Sequence, residues 1–240
     1  MFVEMSMLEE IKGKIKEIIQ RNDNVKSFRL EIPNLLEFKA GQFISVTLNN
    51  NPQLKRYLSI SSSPTEQSYL EFTKKLTQSD FSKTLNDLKV GDQVVITYPL
   101  GKFVLDEAWP KVAFLSGGIG ITPIRSICKY VVDKNLGIDI VLLYSNQTLA
   151  DIIFDEDFKI MIESYAALRI SQVLSVAEPG FKGSVGRINV ELIKQEIPDY
   201  LERKFYLCGP PQMVKAMRKI LEEELNLDNS KIVTENFQGY

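Results

Sequence analysis

Between Gly13 and Tyr98, apolar and polar residues alternate mostly with a period of two, in short runs at 14–19, 25–31, 42–48, 56–61, 69–73 and 93–98. Such runs predict half-buried β-strands, because successive side chains of a strand point to opposite faces. Turn-forming residues separate them: Asn22-Asp23-Asn24, Pro33-Asn34, Ala40-Gly41, Asn49-Asn50-Asn51-Pro52, Ser63-Pro64 and Val90-Gly91-Asp92. Six strands punctuated in this way predict a small antiparallel β-barrel. One stretch departs from the period. Phe81, Leu85 and Leu88 recur at helical spacing, which predicts a short helix over 79–88 that caps one barrel end.

After Asp106-Glu107 the pattern changes to alternating units. Strands are predicted at 112–115, 138–144, 168–176, 204–207 and 231–234, with four helical stretches between them. In the first, Ile124, Ile127, Cys128, Val131 and Val132 share one stripe, and Pro123 suits a first helical turn. In the last, Met213, Val214, Met217, Ile220 and Leu221 do the same. Strand–helix alternation predicts a five-stranded parallel sheet with right-handed crossovers and helices on both faces. The expected architecture is thus β followed by α/β: a six-stranded antiparallel barrel over 1–107, then a nucleotide-binding α/β domain over 108–240. With 240 residues and 44% hydrophobic content, the chain can build two cores.

Charge and composition narrow the function. Twenty-nine basic residues against 31 acidic give a net charge of -2, a field that gathers neither nucleic acid nor anionic lipid. No apolar run approaches the ~18 residues of a membrane helix, and the first residues carry no basic leader, so a cytoplasmic chain without membrane insertion is expected. There is no histidine. Ser-His-Asp and Cys-His machinery and histidine metal sites are therefore excluded. Cys128 and Cys208 stand eighty residues apart, too few and too dispersed for an iron–sulfur cluster, so no metal site is expected and both thiols read as free.

Three motifs carry candidate chemistry. Gly117-Gly118-Ile119-Gly120-Ile121-Thr122-Pro123 joins an apolar strand to an amphipathic helix. Glycines there let backbone approach a ligand, and the helix start offers unsatisfied amides with about half a positive charge, so a pyrophosphate fits. The motif is not the Gly-x-Gly-x-x-Gly fingerprint, and Tyr144-Ser145-Asn146-Gln147 stands where an acidic ribose ligand is usual. Cys208-Gly209-Pro210-Pro211 repeats the setting at another strand end, where a glycine lets a flat ring come close. Arg56-Tyr57-Leu58-Ser59 lies in the β-rich half; its arginine can give two charge-assisted bonds to a phosphate, and its serine can donate or accept at a heteroatom. Strand alternation puts Arg56 and Leu58 on one face and Tyr57 and Ser59 on the other.

Taken in order, the segments 56–64, Gly91-Asp92, Pro99-Leu100-Gly101-Lys102-Phe103, 117–123, 208–213 and Glu235-Asn236-Phe237 resemble the ferredoxin–NADP reductase-like flavoproteins over residues 10–240. The resemblance implies an FAD-binding barrel, an NAD(P)-binding domain, and hydride passing from NADH or NADPH to the flavin between them. Cofactor contacts are implied for Arg56, Tyr57, Leu58 and Ser59, with Arg56 at the pyrophosphate and Ser59 near the flavin N5. Further contacts are implied for Phe72, Thr73 and Lys74 along the ribityl and adenosine portion, and for Phe81, Ser82 and Lys83 at a second phosphate turn. On the nicotinamide side the resemblance implies Gly117, Gly118 and Gly120 at the pyrophosphate, with Ser145, Asn146, Gly209, Pro210 and Met213 around the dinucleotide. Thr122 would approach the isoalloxazine and Cys208 the nicotinamide C4. Phe237 would shield the flavin, with Glu235 in the same network. Ser59, Cys208 and Glu235 are the implied catalytic groups.

Three positions depart from the family pattern. Leu58 replaces the usual flavin-stacking tyrosine, Ser79 replaces a glycine of the second phosphate turn, and Gln147 stands where NADP-preferring relatives offer an arginine. Gln147 argues for NADH. Hydride transfer needs no titrating nucleophile, since the cofactors supply reactivity and the protein supplies alignment. The expected activity is an FAD-dependent NAD(P)H reductase serving a separate acceptor, such as ferredoxin, an oxygenase component or a small molecule. Two alternatives remain: a reductase of free flavin, and a non-catalytic electron-transfer or accessory subunit.

Overall fold

The period-two pattern folds as an antiparallel sheet in the computed structural model, which describes residues 10–33 and 37–236. Its strands are β1 (Ile11–Asn22), β2 (Val25–Glu31), β3 (Phe43–Thr47), β4 (Lys55–Ser59) and β5 (Leu70–Lys75), and, after helix α1 (Asp80–Asp87), β6 (Gln93–Leu100). They pair in the order β4-β3-β6-β1-β2-β5. Inward residues of the alternation meet in one core, where Phe28 and Phe72 stack with centroids 5.2 Å apart and Phe81 of α1 is fully buried. Burying one such ring contributes about 1.5–3 kcal/mol.

The barrel expected from the sequence does not close. Beyond β4 the edges touch at a single bridge, Ile60 to Phe72. The ladder stops there because the amides of Ser61 and Ser62 both converge on the Glu71 carbonyl, at 2.7 and 3.4 Å, instead of continuing in register. The result is a curled, open six-stranded sheet.

The second half contains β7 (Lys111–Gly117), α2 (Ile121–Lys134), β8 (Asp139–Asn146), α3 (Asp155–Ser164), β9 (Leu168–Leu174) and β10 (Ser184–Val185). It ends with α4 (Val190–Glu196), β11 (Lys204–Gly209), α5 (Pro211–Lys219) and β12 (Ile232–Asn236). The sheet is parallel and has six strands, not five, in the order β10-β9-β8-β7-β11-β12. The extra strand, β10, contributes only Ser184 and Val185 against Val173 and Leu174, too short a run to leave a periodicity. Both sheet faces are covered. Val112, Phe114, Ile140 and Leu142 pack with α2 and α3, whereas Ala113, Leu115, Val141 and Leu143 pack with α4 and α5. That division follows directly from the pleat.

Candidate functional site

The parallel sheet reverses its winding between β7 and β11, which are neighbours. Open α/β sheets leave a crevice at such a point, because the chain departs to opposite sides from adjacent strand ends. Both glycine turns lie there and their backbones touch. A Cβ on Gly120 would stand 2.3 Å from the Cys208 carbonyl oxygen, and one on Gly209 would stand 3.0 Å from the Gly117 nitrogen. Gly118, at φ +51, has open space around it. Residue 120, which precedes α2, offers no side-chain cap, and the first turn of α2 holds no acid; a tight turn over Gly118–Gly120 leads into the helix and takes the Ile121 amide onto the Gly118 and Ile119 carbonyls, so the positive end of the helix faces the cleft through that glycine turn.

A cleft of about 570 Å³ opens on these turns, lined by Gly117, Gly118, Ser145, Asn146, Pro210 and Met213 from the predicted set. The carboxamide of Asn146 is buried and lacks a hydrogen-bond partner. Such a group needs a ligand or water to offset its desolvation. Lys75, Asp151 and Arg187 also line the cleft and were not singled out by sequence reasoning. Lys75 and Asp151 bridge the two halves at 3.7 Å, and Arg187 follows Gly186, a glycine that marks a turn in the sequence and takes a φ of +117 in the structure.

On the antiparallel sheet a second cationic site forms beside α1. The Arg56 guanidinium lies 5.4 Å from the Phe81 ring centroid and donates to the carbonyls of Lys55 (2.7 Å) and Gln53 (3.3 Å). It has no acidic partner among the described residues. Lys74 is close enough that burial, reinforced by the Arg56 charge, lowers its pKa. Two like charges held together form a site suited to an anion. The expected second phosphate turn is already bonded internally: the Ser79 hydroxyl accepts from the Ser82 amide at 3.3 Å and donates to the Ser82 hydroxyl at 3.2 Å. Lys83 is exposed beside it.

Other expected contacts are distributed differently. Phe72 and Phe81 are core residues, and the Thr73 hydroxyl is bonded to Ser27 at 2.7 Å and Ser61 at 2.9 Å. Leu58 is 7% exposed and packs inward, while Tyr57 is 58% exposed and meets Phe43 edge-on at 5.8 Å. Ser59 is buried and its hydroxyl lacks a partner, the state expected of a group reserved for a ligand heteroatom. Thr122 is buried and donates to the Ile119 carbonyl at 3.0 Å. Cys208 is fully buried; burial first, and then Glu235 beside it in the ladder, push its thiol pKa well up. It stays protonated and small. Burial raises Glu235 to about 7. Phe237 lies outside the described residues.

An arginine with no carboxylate partner among the described residues, a helix start without an acid, glycine turns in backbone contact and an unpartnered buried Ser59 hydroxyl fit a flavin and a nicotinamide dinucleotide. Comparison with known proteins agrees. Residues 12–105 match the oxidoreductase FAD-binding domain and residues 114–219 the oxidoreductase NAD-binding domain. The chain is 33% identical over 233 residues to the glycine betaine monooxygenase reductase subunit of Chromohalobacter salexigens, covering 92% of this chain and 62% of that one. It is 30% identical over 230 residues to NADH-cytochrome b5 reductase 1 of Mortierella alpina, covering 91% and 76%. The chain spans about three fifths of the length of the monooxygenase reductase subunits it matches. In fold it is similar to the ferredoxin NADP+ reductase of Neisseria gonorrhoeae with bound FAD and NADP (TM-score 0.80, 23% identity, 95% of this chain and 99% of that one). A similar likeness links it to the cytochrome b5 reductase domain of Ulva prolifera nitrate reductase (TM-score 0.84, 22% identity, 95% and 97%). By its paired FAD- and NAD-binding domains and its likeness to these reductases, the chain belongs to the ferredoxin–NADP reductase-like flavoprotein oxidoreductases.

Proposed function

We propose that the chain is an FAD-dependent NAD(P)H oxidoreductase that takes hydride from a nicotinamide dinucleotide and passes electrons to a separate acceptor, such as a ferredoxin or an oxygenase component. The observation that carries this reading is the pair of glycine turns in backbone contact at the switch point. In this reading residues 1–107 form the FAD-binding half and 108–240 the NAD(P)-binding half. Cytoplasmic residence belongs to it as well and accords with two unpaired cysteines.

The bound flavin supplies the redox chemistry, accepting two electrons and releasing them singly or in pairs. The chain supplies charge, donors and distance. Arg56 and Lys74 would offset the phosphates of FAD, and the glycine turn at the start of α2 would hold those of the dinucleotide. The Ser59 hydroxyl, buried without a partner, would donate to the flavin edge. Cys208, fully buried and kept protonated, would back the strand end at which the nicotinamide ring is proposed to lie, and Glu235 sets the charge beside it. Gln147, which lines the cleft as a neutral group, favours NADH over NADPH.

An absorbance spectrum of the purified protein, followed by anaerobic addition of NADH and then NADPH, tests the proposal. A flavin band that bleaches on adding either one is the expected result. Leu58, an aliphatic side chain turned into the core where an aromatic would stack on flavin, favours a second reading, reduction of free flavin. A colourless protein active only with added FMN or FAD supports that reading. Inertness in both formats would overturn both and leave the accessory-subunit reading.

A further inference from the structure

The two halves are also joined by a closed ring of charge. Arg125 of α2 donates from Nε to Asp157 of α3 at 3.0 Å, and both its terminal nitrogens engage the Glu66 carboxylate, Nη2 at 3.1 Å. Asp157 also faces Arg21 at 3.6 Å, and Arg21 reaches Glu71 at 3.2 Å. Glu71 accepts from Arg29 at 3.0 Å, whose guanidinium lies 4.2 Å from the Tyr69 ring centroid. The Tyr69 hydroxyl closes the ring by donating to Glu66 at 2.7 Å. Arg29 also donates to Glu17 at 2.8 Å, so three arginines face four carboxylates. Arg125 is 3% exposed and Glu71 is fully buried.

The ring grips one piece of backbone from both sides. Arg125 donates to the Ser61 carbonyl at 3.1 Å, and Ser126 to the Ser62 carbonyl at 2.6 Å. The Ser61 hydroxyl donates to Glu71 at 2.8 Å, and the Ser63 amide to Glu66 at 2.7 Å. Ser61 lies two residues after Ser59, and Arg125 lies one helical turn after Thr122. Ser59 belongs to the proposed flavin-binding half, and Thr122, in α2, to the proposed nicotinamide-binding half.

Burying so many charges is a poor way to gain stability, because desolvation offsets most of the Coulomb attraction. Geometry is the better explanation, since a guanidinium fork fixes direction as well as distance. We infer that Arg125, held by Glu66 and Asp157, is a positioning residue that sets the flavin strand and the nicotinamide-binding helix at the separation hydride transfer requires. The inference rests on the reductase reading above.

The test uses the full chain carrying Arg125→Lys, whose single ammonium cannot span Glu66, Asp157 and the Ser61 carbonyl together. In the cofactor-free protein, hydrogen exchange at the amides of 61–63 is expected to quicken on the order of tenfold as that segment loses its clamp. In the flavin-loaded protein, the limiting rate of anaerobic flavin reduction by NADH is expected to fall on the order of tenfold or more, with the Kd for NADH changed by less than about threefold. Unchanged exchange at 61–63, or a limiting rate that holds while only Kd or Tm moves, would overturn the inference. If Arg125→Lys does not fold, Asp157→Asn serves, because that carboxylate is 21% exposed and its loss leaves the Glu66 pair intact; the same two outcomes decide. A wild-type protein that NADH and NADPH both fail to reduce overturns the reductase reading, and the exchange measurement then still decides whether the clamp exists.

Discussion

Gly120 and Cys208 come from different strand–helix units, yet a Cβ on Gly120 would lie 2.3 Å from the Cys208 carbonyl oxygen. The neighbour is backbone, which cannot swing aside. Gly120→Ala should therefore force the two turns apart, at a cost of about 1–3 kcal/mol. In a chain of this size that lowers Tm by several degrees, at roughly 2–4 °C per kcal/mol. NADH binding should weaken on the order of tenfold as the cradle widens. Gly118→Ala is the contrast: nothing lies within 4 Å of its Cβ position, so only the left-handed φ of +51 is penalised, at about 1 kcal/mol. Thermal melts and equilibrium titration of both variants check the difference; equal losses would show that close approach is not what the glycine at 120 provides.

Arg56 keeps a guanidinium beside Lys74 with no carboxylate to balance it among the described residues. Arg56→Ala should raise the Kd for FAD at least about tenfold, since each charge-assisted bond contributes roughly 1.5–3 kcal/mol. Arg56→Lys should fall between, keeping charge but losing the fork. Fluorescence titration of apoprotein with FAD measures both. An FAD affinity indifferent to Arg56 would remove the phosphate from this site.

Much of this fold is visible in the order of residues, and the reasons are local. The runs that became β1 to β6 have the period a strand imposes on its own neighbours, those that became β7 and β8 are short apolar runs between helical stretches, and the glycine turns announce themselves because a side chain at Gly120 would meet backbone. Phe72 shows where such reading stops. Alternation marks it as facing one side of β5, but which side meets the core and which meets a ligand depends on the rest of the sheet, and Phe72 proved to stack on Phe28. Glu66, Glu71, Arg125 and Asp157 are less legible still. Each looks like an ordinary solvated charge in its own segment, and only the docking of the two sheets brings them into one ring. Arg187 reaches the cleft from the loop just after β10, a strand of two residues that leaves no pattern.

Gln147 lines the cleft as a neutral side chain, and the Asp151 carboxylate shares that wall. NADPH should accordingly bind more weakly than NADH. Gln147→Arg should strengthen NADPH on the order of tenfold, the value of one recovered phosphate contact of about 1.5 kcal/mol, and leave NADH nearly unchanged. Parallel isothermal titrations with the two dinucleotides give the ratio directly. Should wild type bind both equally, Arg187 becomes the cation to remove next.

Glu235 sits opposite Cys208 in the β11–β12 ladder, and burial raises its carboxyl from the ordinary 4.5 to about 7. The raised value means that the folded protein holds a proton which the unfolded chain releases between those two pH values. Stability linked to this proton is fully present below about 4.5 and is lost as pH rises through about 7. The Tm advantage of wild type over Glu235→Gln should therefore shrink steadily from pH 5 to pH 8, measured in matched buffers. The same ionisation brings a negative charge to the strand end where the nicotinamide ring is proposed to lie. The rate of flavin reduction by NADH should show an inflection near pH 7 in wild type and none in Glu235→Gln, because no histidine is present to supply another group titrating there. Superimposable profiles in the two proteins would take Glu235 out of the site.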